Sequence, residues 1–211
     1  MPTRATTLSP TAESKRALLF AHGAGAPSTS EWMQSWATRL ASLGEVRRFD
    51  YPYMAAKKKR PDPLPVLVAA HHQAATELAA SVGGRLVYIG KSMGGRVGCH
   101  LAHQHAPAAL VCMGYPLRAP SGNLRDRVLL TLETPILFVQ GTRDPLCPLS
   151  ILADVRARMT APSELYIVDE GDHSLAVTKR WSKAHGQTQE EVNAAILRAI
   201  EGFLTTHAPV R

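Results

Sequence analysis

Short runs of apolar residues, each ended by a turn-forming loop, constrain this 211-residue chain more than any other feature. Residues 17–21 (ALLFA), 86–89 (LVYI), 109–113 (ALVCM) and 136–139 (ILFV) lack the polar alternation of a half-exposed strand. A strand without alternation is covered on both faces, which is the condition of a parallel sheet flanked by helices. Two further segments, 45–52 (EVRRFDYP) and 164–169 (ELYIVD), read as shorter strands. Between them lie stretches with helical spacing. Trp32, Trp36, Leu40 and Leu43 recur at that interval, with Ser30 as a cap and Gly44 as a stop. Helices are also predicted over 65–82, from Ser92 to about residue 104, over 149–159, and from Thr188 to about 204, where Thr188 and Glu191 form a capping box. Strand and helix in alternation predict a doubly wound α/β fold of about six parallel strands with helices on both faces.

In such folds, ligands bind beyond the carboxyl ends of the strands. The loops there read HGAGAP, DYPYM, GKSMGG, GYPLRAP, GTRDPLCP and DEGDHSL. The third holds Gly90-Lys91-Ser92-Met93-Gly94, a G-x-S-x-G pentapeptide between a strand and a helix. Its glycines permit a turn too sharp for side chains, which lifts Ser92 above the sheet edge and starts a helix beneath it. Free N–H groups and the positive end of the helix dipole then lie near the hydroxyl. By chance the pentapeptide arises in roughly 0.07 of chains this long, so its setting carries the weight. A glycine-rich helix start used only for close packing is the plain alternative.

A serine hydroxyl needs a base, and the base needs an orienting carboxylate. For a nucleophile on this kind of turn the chain order is serine, acid, histidine. Asp144 follows the fifth strand and His173 follows the sixth, both on the edge that carries Ser92. Asp169, Glu170 and Asp172 share the loop of His173, and near neighbours in sequence align a ring poorly. His71, His72, His100, His103 and His105 fall within helices, and His185 is a weaker spare base. The His100/His103 spacing has no carboxylate beside it to complete a metal site, so no metal and no cofactor is expected. Two N–H donors for an oxyanion are expected at Met93, just after the nucleophile, and at Ala24 in the loop His22-Gly23-Ala24-Gly25 after the first strand. A glycine-rich turn for phosphate is the rival reading of that loop, but the G-x-G-x-x-G spacing is absent.

Together HGAGAP, GKSMGG, GTRDP and GDHSL, in that order over about 150 residues, resemble the α/β-hydrolase superfamily. Within it the chain is similar to small, lidless enzymes near the dienelactone hydrolases and to a carboxylesterase-like branch that also contains members without demonstrated catalysis. The resemblance implies a Ser92–His173–Asp144 triad. Dienelactone hydrolases proper use a cysteine nucleophile, whereas this chain has Ser92. Only the 18 residues 117–134 separate the fourth and fifth strands, too few for a lid domain, and only sixteen residues precede Ala17, too few for the superfamily's first two strands. The expectation is a tail over 1–16 and one minimal α/β-hydrolase domain over 17–211, with an open cleft suited to short acyl esters. The expected activity is that of a serine carboxylesterase. A thioesterase or small-peptide hydrolase would use the same residues, and a non-catalytic interaction protein could keep the fold.

Net charge is +7, part of it in the run Lys57-Lys58-Lys59-Arg60. Without interleaved aromatics or a nucleic-acid motif, that run reads as a solvated loop, and no nucleic-acid partner is expected. No apolar stretch reaches the roughly 18 residues of a bilayer span, and no signal peptide is evident. Cys99, Cys112 and Cys147 are odd in number and scattered, which predicts free thiols in a cytoplasmic protein. Lys91 reads as facing solvent. Tyr53, Met54 and Arg118 are placed on the cleft edge, and Cys147 either near the site or packed.

Overall fold

The structure, a computed structural model, describes residues 15–119 and 121–210. Six strands form one sheet: β1 (Arg16–Ala21), β2 (Glu45–Phe49), β3 (Arg85–Lys91), β4 (Ala109–Met113), β5 (Ile136–Gly141) and β6 (Ser163–Val168). Their spatial order is β2-β1-β3-β4-β5-β6, and every pairing is parallel. The chain first winds outward from β1 to β2, then returns to place β3 on the other side of β1. The loops after β1 and β3 therefore part in opposite directions, opening a crevice at the switch point.

The unalternating runs are the inner strands. All residues of β1, β4 and β5 are buried, whereas the edge strands β2 and β6 are half-exposed. Along β1 the side chains divide by pleat. Leu18 and Phe20 enter one core with Met33, Trp36 and Leu40 of α1 (Glu31–Leu40), and with Ile196, Ile200 and Phe203 of α8 (Gln189–His207). Ala17 and Leu19 enter the opposite core. That core is closed by α3 (Leu64–Val82), α4 (Met93–Ala102), α5 (Arg127–Leu130) and α6 (Leu149–Arg156). Truncating such a residue, Phe20 to alanine for instance, costs about 3–5 kcal/mol.

Boundaries differ from the sequence expectation where local contacts outweigh periodicity. Residues 1–14 of the expected tail lie outside the described residues, but Arg16 belongs to the sheet. It opens β1, is 8% exposed, and its Nε donates to Ala208 O at 2.7 Å. Helix α1 stops at Leu40 rather than at Gly44, and Ser30 stands at its N-cap without a side-chain bond. Two helices carry no strong signal in sequence, α2 (Pro52–Ala55) and α7 (Lys179–His185). The capping box of α8 is formed: Thr188 N donates to Glu191 Oε2 at 2.7 Å and Glu191 N to Thr188 Oγ1 at 3.2 Å. Between β4 and β5 the described residues hold α5 and one isolated bridge, Arg118 with Leu124, and no lid domain.

Candidate active site

Ser92 sits at the joint between β3 and α4, as the N-cap of the helix, with φ +50° and ψ −113°. A non-glycine residue in this region carries on the order of 1–3 kcal/mol of strain and persists only when its surroundings hold it. Two contacts do so. Ser92 N donates to Met113 O at the end of β4 (3.0 Å), and Arg96 N donates to Ser92 O (3.2 Å). The first turn of α4 lies so close to β1 that a Cβ on Gly94 would stand 2.5 Å from Ala21 O. The glycine is required for the helix to start where it does.

The structure brings Ser92, His173 and Asp144 together from three strand ends. His173 Nε2 lies 2.8 Å from Ser92 Oγ, and Nδ1 lies 2.7 Å from Asp144 Oδ2. An ionised carboxylate only accepts, so Nδ1 carries the proton and Nε2 accepts from the serine hydroxyl. Asp144 is 3% exposed, and its charge is held by three donors. Gln140 Nε2 donates to Oδ2 at 2.7 Å beside His173, and Leu146 N donates to Oδ1 at 2.9 Å. The rival acids serve locally. Asp172 Oδ1 accepts from Ser174 N and Ala176 N, which shapes the turn that presents His173. Asp169 takes Trp181 Nε1, and Glu170 pairs with Arg143. Among the other histidines, His185 stacks on Trp181, His72 on His105, and His103 reaches Val128 O.

Three residues of this arrangement were not singled out in sequence. Gln140 bridges Tyr115 N and Asp144. Gly114 has φ +70°, and a Cβ there would meet His173 O at 2.7 Å. His22 is fully buried; its Nε2 accepts from Tyr51 N at 3.1 Å, so Nδ1 donates to Gly23 O at 2.6 Å. Burial lowers the His22 pKa, opposed by the Gly23 bond and by Asp50, which keeps the ring in the neutral form that pattern requires. Glycine, glutamine and histidine gain these roles only from neighbours remote in sequence.

The loop after β1 lies against the nucleophile: a Cβ on Gly23 would stand 3.6 Å from Ser92 Cβ. Tyr53 does not line the cleft. It is 1% exposed and its hydroxyl donates to Ala24 O at 2.9 Å, holding the loop from behind. Burial, with Asp50 and Asp62 nearby, pushes that phenol up to about 12. Among the described residues, neither Ala24 N nor Met93 N donates to another group, so both amides are free for a ligand.

Lys91 departs from its expected solvent position. It is half-buried, donates from Nζ to His173 O, and lies over the Trp32 ring at 5.1 Å. Burial lowers its pKa to about 8, against the opposing pull of Asp144 and Asp172. Cys147 is both near the site and packed. It is 1% exposed, and its N–H donates to Asp144 O at 3.2 Å. The run Lys57-Lys58-Lys59-Arg60 is exposed, as read, and its three lysines border, with Met54, a hollow of about 660 Å³ beside Ala24 and Gly25.

Ser92 stands on a ridge between two cavities. The first, about 390 Å³, is apolar and is lined by Trp32, Met33, Leu146 and His173. The second, about 310 Å³, extends past Met93 and includes Arg118, also on the cleft edge as expected.

Fold and site together define a lidless α/β protein of the hydrolase type, with a serine on a strained strand-to-helix turn facing a carboxylate-bound histidine. A family model described as an alpha/beta hydrolase domain matches residues 14–204, and the chain belongs to that family. Solved structures share the fold at low identity. A serine hydrolase homologue from Coxiella burnetii is 17% identical, with a TM-score of 0.69 over 90% of this chain and 88% of the other. A serine hydrolase without a lid from Xanthomonas campestris is 15% identical, TM-score 0.69, over 97% and 88%. A dienelactone hydrolase from Anabaena variabilis is 18% identical, TM-score 0.68, over 96% and 89%.

Proposed function

We propose that this protein is a serine esterase that hydrolyses small carboxylic esters with short acyl chains through an acyl-enzyme. The observation that carries the reading is the unbroken hydrogen-bond line from Ser92 Oγ through His173 to Asp144. In this reading Ser92 Oγ attacks the ester carbonyl while His173 Nε2 takes its proton. Asp144 holds the ring and stabilises the imidazolium. The free N–H groups of Ala24 and Met93 receive the developing oxyanion; each such donor is worth about 10²–10³ in turnover. His173 then returns the proton to the leaving alcohol, and a water activated by the same nitrogen releases the acid. Cavities of about 390 and 310 Å³ on the two sides of Ser92 suit small ester halves. Three buried free thiols, Cys99, Cys112 and Cys147, support work in a reducing, cytoplasmic setting.

Hydrolysis of p-nitrophenyl acetate and butyrate tests the reading, with Ser92→Ala as the control. The parent is expected to turn over both esters and to be labelled by a fluorophosphonate. The variant is expected to lose at least 10⁴-fold in kcat, since loss of a triad serine costs on the order of 10⁶. Equal rates in parent and variant would remove it.

A further inference from the structure

The second cavity is not neutral. Three guanidinium groups border it, those of Arg96 on α4 and of Arg118 and Arg125 in the segment after β4, with Asp62 as the one carboxylate. None of the three arginines forms an ion pair among the described residues, although Arg39, Arg143 and Arg158 each do. Their remaining bonds are weak. Arg96 Nη1 is 3.5 Å from His100 Nε2, and Arg125 Nη1 is 3.5 Å from Pro116 O. Arg96 Nε is buried with no partner at all. Asp62 is engaged elsewhere, since its Oδ2 accepts from Tyr53 N at 2.8 Å.

Arg96 and Arg125 are half-buried and Arg118 is exposed; grouping three cations, two of them partly desolvated, without counter-charge is unfavourable unless something repays their desolvation. Arg96 and Arg125 also oppose one another, as the lowered pKa of Arg125 reflects after its burial. Guanidinium forks match planar carboxylates, bidentate and in a fixed geometry.

The side of the cleft can also be assigned. His173 borders only the Trp32 cavity, and the group that receives its proton must leave on that side. The acyl half then lies on the other side of the Ser92 ridge, past Met93, in the arginine cavity. We infer that the acyl group carries a carboxylate at its far end: the substrates are half-esters of short dicarboxylic acids, with an apolar alcohol over Trp32. The net reaction breaks the acyl C–O bond, consumes one water and yields the free dicarboxylate, the alcohol and one proton. This inference rests on the serine-esterase reading for its catalytic arm, but not for its binding arm.

The test compares p-nitrophenyl hydrogen adipate with p-nitrophenyl methyl adipate, which has the same chain without the charge. The parent is expected to favour the half-ester by at least tenfold in kcat/KM. Arg125→Met and, at an exposed position, Arg118→Gln are each expected to cut that preference about tenfold, mainly through KM. Arg125→Lys should restore only part of it, because it returns charge without the fork. Separately, calorimetry on Ser92→Ala measures binding of free adipate and of inorganic phosphate. Adipate binding that weakens in Arg118→Gln supports the inference whatever the turnover. Hydrolysis of both esters without preference, together with no adipate binding, overturns it and leaves the esterase reading standing. Phosphate binding in place of adipate overturns the carboxylate assignment. Adipate binding with no hydrolysis of either ester sinks the esterase reading instead.

Discussion

Gln140 and His173 meet on the same oxygen of Asp144: the amide Nε2 and the imidazole Nδ1 each lie 2.7 Å from Oδ2. Because Gln140 Oε1 accepts from Tyr115 N at 2.8 Å, its amide cannot flip, and the donor always faces the carboxylate. Gln140 thus fixes where Asp144 points and tempers how strongly that oxygen stabilises a charged His173.

Replacing it should therefore alter the proton chemistry and not merely the fold. For Gln140→Leu, kcat on a short ester is expected to fall about tenfold, the scale of a lost hydrogen bond to a charged group. The loss is expected in kcat with KM nearly unchanged, because Gln140 borders neither cavity and acts through Asp144 on the aim of His173. Steady-state kinetics of parent and variant check this. A KM that rises while kcat holds would assign Gln140 a part in shaping the cleft instead.

Gly114 tests the placement of His173 from the opposite side. Its φ of +70° disfavours any side chain, and an added Cβ would stand 2.7 Å from the His173 carbonyl, a backbone atom that cannot swing aside. Gly114→Ala should shift the 172–174 turn and break the 2.8 Å contact with Ser92 Oγ. Turnover is expected to fall by at least 10²-fold, with a melting point lower by several degrees. A variant that keeps parental turnover would show that the turn can relax without moving the ring.

How much of this was legible in the chain follows from the range of each signal. The inner strands announce themselves because residues such as Leu18 and Leu19 are buried on opposite faces of one strand, which leaves an unbroken apolar run. The placement of Ser92 is local too: Gly90, Gly94 and the strand before them write the turn directly into the sequence. The positions of Asp144 and His173 at strand ends followed once the strands were known. The position of Lys91 is not legible because its environment, Trp32 on α1 and the carbonyl of His173 in the loop after β6, comes from 59 and 82 positions away. The arginine cavity has no motif at all. Arg96, Arg118 and Arg125 converge only because α4 and the segment after β4 share one edge of the crevice.

His71 offers a check on the core beneath the site that needs no substrate. Its ring is fully buried on α3 between Tyr51, Phe49 and Tyr88. Tyr51 Oη lies 3.0 Å from Nδ1, and Nε2 has no partner. No carboxylate is among these neighbours, and burial alone lowers the pKa from the ordinary 6.5 to about 3. The folded protein therefore keeps His71 neutral while the unfolded chain protonates it below about 6.5. Between those two values the unfolded state binds more protons, so stability present at neutral pH is lost as the pH falls. At about 1.4 kcal/mol per pH unit, the parent should lose about 2 kcal/mol between pH 7.5 and 5 through this ring. His71→Leu removes that dependence while sacrificing the Tyr51 contact at every pH. Urea unfolding at both pH values gives the difference. The variant is expected to be the less stable at pH 7.5, and its deficit to shrink or reverse at pH 5. A deficit that stays constant across that range would mean the ring finds a way to charge inside the core.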